Sequence, residues 1–316
     1  MTLSNHSAFI LAGATATGKT AAAQIIAERA GYTILSADAM LVYRGMDIGT
    51  AKPLPAERGT VPYFGLDLVT PAERFSTGRW IDAAQQAIVH AQQPLLVVGG
   101  TGLYIKALTE GIEAPAADET IRATWASFFA AHGLQAIQNE LQRRAPAWYA
   151  TMPDPQNPRR ILRALEQLDA TGTIPTHWQD EAEPPPIVAL RLPRNQLHAR
   201  IARRIRAMFD AGLLDEVEQL RKDYPVWSDT ALKAIGYAEV LDLLAHRISR
   251  REAEEQILIR TRQLAKRQET WFRHQANTLW LDIDESDAPS AIAVRVENLW
   301  RQHGATPIRL ARKNLS

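Results

Sequence analysis

The residues Gly13-Ala14-Thr15-Ala16-Thr17-Gly18-Lys19-Thr20 follow the spacing Gly, four residues, Gly, Lys, Ser/Thr. Glycines at those positions let consecutive N–H groups turn toward one anion, and a helix beginning there adds partial positive charge. Lys19 is placed to reach an outer phosphate, and the Thr20 hydroxyl to ligate a magnesium ion. Asp38 stands at the end of the next apolar stretch, where open α/β sheets bind their ligands, and is a candidate base. Arg200 and Arg204 lie four apart with Arg203 beside them, so two guanidiniums share a helix face and suit a multiply charged phosphate. Spacing alone leaves a solvated basic face equally open. Asp67 is a weaker candidate.

Several elements must position these groups. Ala8 to Leu11 reads as a buried strand entering the loop, and Thr20 to Arg29, rich in alanine, as the helix leaving it. Tyr32 to Ser36 reads as a second strand and Phe64 to Leu68 as a third, with a helix over Phe75 to Gln92. Pro94 to Val98 is a continuous apolar run suited to a central parallel strand. It enters a second glycine-rich turn, Gly99-Gly100-Thr101-Gly102-Leu103-Tyr104, with Thr101 as a polar contact. From residue 114 strand-like runs cease. Helical spacing broken by Pro and Gly continues to the run Pro184-Pro185-Pro186, with a loop over Met152 to Pro158. A strand over Ile187 to Leu192 and a helix from Asn195 return to the core. The division expected is 1–113 core, 114–186 helical insertion and 187–316 core. Late in the chain Arg262, Lys266 and Arg273 share one helical face, with Trp271 and Phe272 interleaved. That pattern fits a nucleic-acid backbone surface or a solvated helix.

Composition narrows the field. The 316 residues are 46% hydrophobic and 22% charged, ordinary for a globular protein of about two domains. A net charge of +1 gives no global basic field, so any nucleic-acid surface must be local. The absence of cysteine excludes disulfides, thiolate chemistry and a cysteine-ligated zinc finger. No basic segment followed by an apolar core opens the chain, and no apolar run approaches the ~20 residues of a membrane span. A cytoplasmic enzyme with no membrane partner is expected.

Taken together, the separated motifs resemble those of the bacterial tRNA dimethylallyltransferases, also called tRNA isopentenyltransferases. The blocks that carry the likeness are the loop at 13–20, Ser36-Ala37-Asp38, the stretch from Val42 to Pro53, and Gly99 to Tyr104. Further on come Arg159 to Glu166, Ile235-Gly236-Tyr237, and Arg262 to Gln268 with Thr270-Trp271. The likeness runs from the phosphate loop to about Trp280, with Gly45 to Pro53 its most specific block.

The resemblance implies an α/β, P-loop NTPase-like parallel sheet core with a mostly helical insertion. It implies transfer of a dimethylallyl group from its diphosphate to N6 of the adenosine just 3′ of the anticodon, position 37 of tRNA. Asp38 then matches the base, Thr20 the Mg2+ ligand and Arg204 the diphosphate-contacting arginine, with Arg200 one turn earlier. Asp38, Ala39, Met40, Leu41 and Thr101 match residues at the adenosine. Arg159, Arg160, Ile161, Leu162 and Arg163, then Lys233, Gly236 and Tyr237, then Lys266, Arg267, Gln268, Trp271 and Arg273 match tRNA-contacting stretches. The expected partners are a tRNA anticodon stem–loop and dimethylallyl diphosphate, acting on a monomer. The chain departs from the family pattern at Ala14, Thr17, Ala39, Tyr63-Phe64 and Met152. Lys19, Thr20 and Asp38 would serve a small-molecule or nucleoside kinase equally well. The basic helix and the Gly45–Pro53 block separate the two. A non-enzymatic RNA-binding switch is the third possibility, and Asp38 beside the loop argues against it.

Overall fold

A computed structural model describes residues 7–111, 118–174 and 186–309. The chain divides into two compact units, 1–112 with 184–316, and 113–183. The expected break at 113–114 and the first two prolines of the 184–186 run lie outside the described residues.

In the first unit, strand β1 (Ser7–Gly13) leads through the glycine loop into α1 (Lys19–Ala30), and β2 (Thr33–Ser36) follows. Next come α2 (Pro55–Arg58), β3 (Tyr63–Phe64), α3 (Thr77–His90), β4 (Leu95–Gly99) and α4 (Gly102–Glu110). The strands join a sheet ordered β3-β2-β4-β1-β5-β6, with β5 Ile187–Arg191 and β6 Thr278–Asp282. Every pairing along that path is parallel. Among the described strands only β7 (Thr306–Pro307) runs antiparallel, against the start of β1. Burial on both faces explains the unbroken apolar runs: all of Leu95–Gly99 is buried. Because β1, β2 and β4 are parallel neighbours, their C-terminal ends carry the glycine loop, Asp38 and the second glycine turn to one edge of the sheet.

The third strand is shorter than its sequence suggests. Gly65 and Asp67 both adopt positive φ, +81° and +53°, and at Gly65 a Cβ would lie 2.7 Å from the Ser36 carbonyl. The chain therefore turns after Phe64 instead of continuing as a strand to Leu68. The sequence expectations do not include β6, the two-residue β7, or the helices over Leu213–Asp223 and Pro289–His303, although the buried residues of both helices recur at helical spacing.

The second unit contains α5 (Glu119–Arg144), α6 (Pro146–Ala150) and α7 (Pro158–Thr171). Asn157 caps α7 by accepting from the Arg159 N–H at 3.1 Å, and Pro158 sits in the first turn, where its missing N–H costs nothing. Gly133 bends α5 with φ +75°. Trp125, Ile137, Leu141, Met152, Ile161 and Leu165 form its core. Met152, a departure from the family pattern, is thus a core residue here.

The first unit continues with α8 (Arg194–Asp210), α9 (Leu213–Asp223), α10 (Tyr237–Leu244), α11 (Arg250–Gln275) and α12 (Pro289–His303). The basic helix is longer than its 260–273 signature, and it starts at Ser249, whose side chain accepts from the Glu252 N–H in a capping box. No described helix is long and apolar enough to cross a membrane.

Candidate active site

The loop between β1 and α1 takes its shape from left-handed backbone at Ala16 (φ +64°) and Gly18 (φ +90°). At Gly13 (φ +139°) a Cβ would sit 2.7 Å from the Leu190 carbonyl, so β5 presses on the loop and only glycine fits. Thr17 is buried and donates to the Ala14 carbonyl at 2.9 Å, so its hydroxyl braces the loop and does not face an anion. Lys19 Nζ donates to the same carbonyl at 2.6 Å. The first N–H groups of α1, at Lys19 and Thr20, have no intrahelical acceptor and point out of the helix end. Thr20 itself is exposed. The Thr15 N–H is already engaged: Gln268 Oε1 accepts it at 2.8 Å, which removes that amide from the expected anion cradle.

Asp38 follows β2 in a turn that is tied on both sides. Its Oδ1 accepts the Met40 N–H at 2.9 Å. The Ala39 N–H donates to Thr101 Oγ1 at 3.0 Å, and the Thr101 N–H donates to the Ala37 carbonyl at 3.0 Å. The second glycine turn and the Asp38 turn are therefore one structure. A Cβ at Gly99 would collide with the Ala37 backbone. The missing hydroxyl at Ala39 leaves this clamp intact, because the contact uses the backbone amide. Leu41 is half-buried beyond the turn.

Electrostatics join these pieces. Burial pulls Lys19 from its ordinary 10.5 down to about 8, with Asp38 opposing and Arg204 adding to the fall. Burial likewise lowers Arg204, again opposed by Asp38. Asp38 thus lies within the field of both cations. Arg204 bridges two loops, donating to Thr15 Oγ1 at 3.4 Å and to the Thr50 carbonyl at 3.0 Å. Arg200 reaches the helix end: a Cβ on Gly18 would be 3.6 Å from its Nη1, while its Nη2 donates to the Glu285 carbonyl at 3.3 Å. Arg203 turns away into an ion pair with Glu285.

The Gly45–Pro53 block is an ordered shell around the site. Glu216 Oε2 accepts the N–H groups of Asp47 (3.1 Å) and Ile48 (2.7 Å), and Oε1 accepts that of Gly49 (3.4 Å) and the Tyr237 hydroxyl (2.6 Å). At Gly49 a Cβ would lie 2.5 Å from the Tyr237 ring. Lys52 is buried and pairs with Asp67 (2.6 Å) and Asp47 (2.7 Å), which makes Asp67 a structural partner of this block. Glu216 had no sequence signal. It sits in the first turn of an unremarked helix, 167 residues from the nearest amide it holds.

Helix α11 closes the site from another side. Gln268 donates to the Gly100 carbonyl at 3.1 Å as well as accepting from Thr15, so one side chain staples both glycine turns. The Trp271 ring fills the place where a Cβ on Gly102 would be. Lys266, Arg267 and Arg273 are exposed, with Arg273 paired to Glu269 at 2.6 Å. Lys233 is exposed at the end of a short 3-10 turn, and Gly236 (φ +106°) starts α10. In the helical unit Arg159 and Arg160 are exposed, Leu162 is half-buried, and Arg163 donates to Glu166 at 3.2 Å. Ile161 and Tyr237, from the expected tRNA-contacting stretches, are fully buried, and their side chains are part of cores.

Comparison with known proteins decides the family. A model described as IPP transferase matches residues 41–275, and one described as isopentenyl transferase matches 6–62. The chain is 40% identical to the tRNA dimethylallyltransferase of Roseiflexus sp. (strain RS-1), over 90% of this chain and 96% of that one. This chain belongs to the IPP transferase family. A second member, the tRNA dimethylallyltransferase of Thermus thermophilus, is 42% identical over 84% of this chain and 89% of its own. Among solved structures, the tRNA isopentenylpyrophosphate transferase of Bacillus halodurans superposes with a TM-score of 0.67 at 33% identity, covering 95% and 97% of the two chains. A eukaryotic dimethylallyltransferase acting on tRNA shares the fold, with TM-score 0.75, 20% identity and coverage of 98% and 82%. The α/β core with its phosphate loop is thus the transferase family's own.

Proposed function

We propose that this protein transfers the dimethylallyl group of dimethylallyl diphosphate to N6 of adenosine 37, the residue just 3′ of the anticodon in tRNA. The observation that carries this reading is the position of Asp38, held between two glycine turns in the field of Lys19 and Arg204. A carboxylate held so close to two cations supports this reading, because alkylation of a weakly nucleophilic amine by a diphosphate ester needs a base near an anion site.

The N6–C1 bond forms as the C1–O bond breaks, and the electron pair of that bond leaves with the diphosphate. Asp38 takes one N6 proton as the amine becomes cationic. Lys19, Arg204, Arg200 and the amides at the start of α1 stabilise the charge gathering on the leaving oxygen. An adenine stacked in an anticodon loop must be turned out to reach Asp38. Thr101 is fixed beside that position through its bonds to Ala37 and Ala39. Lys233, Lys266, Arg267 and Arg273, and on the helical unit Arg159, Arg160 and Arg163, supply cations for the tRNA backbone.

No group of three or more His, Cys, Asp or Glu among the described residues could hold a metal by itself. Thr20 is exposed, and its hydroxyl would hold a magnesium ion, which would supply charge neutralisation for the diphosphate. The protein is taken to act in the cytoplasm, as a monomer.

The test is a paired incubation of the full chain with unmodified tRNA, magnesium and either radiolabelled dimethylallyl diphosphate or γ-labelled ATP. Isoprenoid label in the RNA, lost when adenosine 37 is replaced by guanosine, is expected. Phosphate transfer from ATP to a small molecule, with no isoprenoid in the RNA, would return the loop to a kinase.

A further inference from the structure

The second glycine turn carries three glycines, and none of Gly99, Gly100 and Gly102 adopts a positive φ. Backbone freedom therefore does not account for them, whereas close approach does. A Cβ on Gly99 would collide with the Ala37 backbone, one on Gly100 with the side-chain amide of Gln268, and one on Gly102 with the Trp271 ring. Gln268 and Trp271 stand three apart on α11, hence on one face of that helix. The turn is thus a socket that receives α11 on one side and the Asp38 turn on the other.

We propose that Gln268 is a positioning residue for prenyl transfer: seated in the space that Gly100 leaves open, it fixes the phosphate loop against the turn that carries Thr101 and Asp38. The proposal rests on the transferase reading above. In that reading the two turns hold different reactants, the first the diphosphate of the donor and the second, through Thr101 and Asp38, the adenosine. The pairing of β1 with β4 ends at Ala12 and Gly99, so past the strand ends no ladder bond sets the distance between the turns. Gln268 spans that gap, accepting the Thr15 N–H at 2.8 Å and donating to the Gly100 carbonyl at 3.1 Å.

A side-chain amide suits this task, because it accepts at one end and donates at the other. The bond to Thr15 also withholds one loop N–H from the anion. A residue serving diphosphate affinity alone would leave that amide free. What the bond supplies instead is orientation, and a misplacement of about 1 Å between bound reactants costs about 10²-fold in rate. Loss of Gln268 should therefore leave donor binding intact while slowing the bond-forming step. Neither a mere brace of the loop nor a mere RNA contact produces that split.

The experiment measures single-turnover transfer from dimethylallyl diphosphate to saturating tRNA, and binding of inorganic diphosphate by calorimetry, in the unaltered chain, Gln268→Met and Gln268→Ala. Methionine keeps the volume and loses both hydrogen bonds. The transfer rate should fall at least about tenfold in both variants, with diphosphate affinity within about threefold of the original or tighter. A full rate in Gln268→Met at saturating tRNA overturns the proposal and leaves Gln268 an RNA contact. A tenfold or greater loss of diphosphate affinity in that variant also overturns it, by making Gln268 a brace of the loop alone. Gly100→Ala approaches the same pair from the other side. Its Cβ evicts Gln268, and once Gln268 is alanine the nearest remaining obstacle is the Gly13 carbonyl at 3.1 Å. The double variant Gly100→Ala/Gln268→Ala should therefore be no more than about threefold slower than the slower single variant, and losses that simply multiply count against the proposal. An unaltered chain that transfers no dimethylallyl group refutes the transferase reading and this proposal with it, whereas a full rate in Gln268→Met beside an active unaltered chain refutes the proposal alone.

Discussion

Replacing Glu216 by alanine should loosen the shell that holds Arg204, and the size of the effect can be worked from the bonds lost. The carboxylate accepts two well-formed N–H bonds, from Ile48 (2.7 Å) and Asp47 (3.1 Å), a long one from Gly49 (3.4 Å), and the Tyr237 hydroxyl (2.6 Å). Asp47 and Ile48 are half-buried, so water can replace part of the loss, and about 1 kcal/mol for each of the two is reasonable. Tyr237 is fully buried, and its stranded hydroxyl adds about 1–2 kcal/mol. Glu216→Ala should therefore cost about 3–4 kcal/mol and lower the melting temperature by about 6–12 °C. Tyr237→Phe removes one donor and leaves the amides paired, at a cost of about 1 kcal/mol. Because Thr50 in the same block accepts from Arg204, kcat/KM for prenyl transfer should fall by at least about tenfold in Glu216→Ala. Urea unfolding of the two single variants and the double variant gives the assay, with a coupling energy of about 1 kcal/mol expected. Strict additivity, or a Glu216→Ala loss below about 1 kcal/mol with full activity, would refute the argument that this carboxylate organises the block.

Three other outcomes are expected. Asp38→Ala should lower turnover by about two to four powers of ten while inorganic diphosphate still binds, as single-turnover kinetics and calorimetry can check. Full turnover would exclude Asp38 as the base. Neutralising Lys266 should reduce the salt slope of tRNA binding by about one. Adding Arg273 should reduce it less, since Glu269 already pairs with that arginine at 2.6 Å. An unchanged slope in the double variant would place the RNA elsewhere. With Lys19 lowered to about 8, the free protein sheds this charge as pH rises through 8. Inorganic diphosphate affinity should then fall by up to about tenfold per pH unit above that point. The contribution of Lys19 to stability runs the other way, rising between pH 8 and its ordinary value of 10.5, because the unfolded chain keeps the proton longer. A flat affinity between pH 7 and 9.5, by titration calorimetry, would show that Lys19 is not part of the anion site.

Much of the site was legible in local sequence, and the reason differs from residue to residue. Gly13 and Gly18 announce themselves because their backbone angles exclude other residues. Asp38 was legible because a parallel sheet brings the ends of β1, β2 and β4 to one edge. Gln268 belonged to a recognisable basic stretch, but its task was hidden. Its bonds to Thr15 and Gly100 span 253 and 168 residues, and no periodicity encodes such a reach. The burial of Ile161 was hidden because it lies among arginines in sequence while its helix turns it into a core. The burial of Tyr237 was hidden for a similar reason: a tyrosine in a short polar motif looks accessible until its hydroxyl is found on a carboxylate from another helix.

The sequence by itself determined the phosphate loop, the acid beside it, the parallel sheet and the family, because each depends on residue types within a few positions of one another. Only the tertiary structure decided that Gln268 joins the two glycine turns and that Glu216 holds the loop supporting Arg204. Those arrangements are made by side chains meeting across long stretches of chain, where spacing carries no information and packing alone chooses the partner.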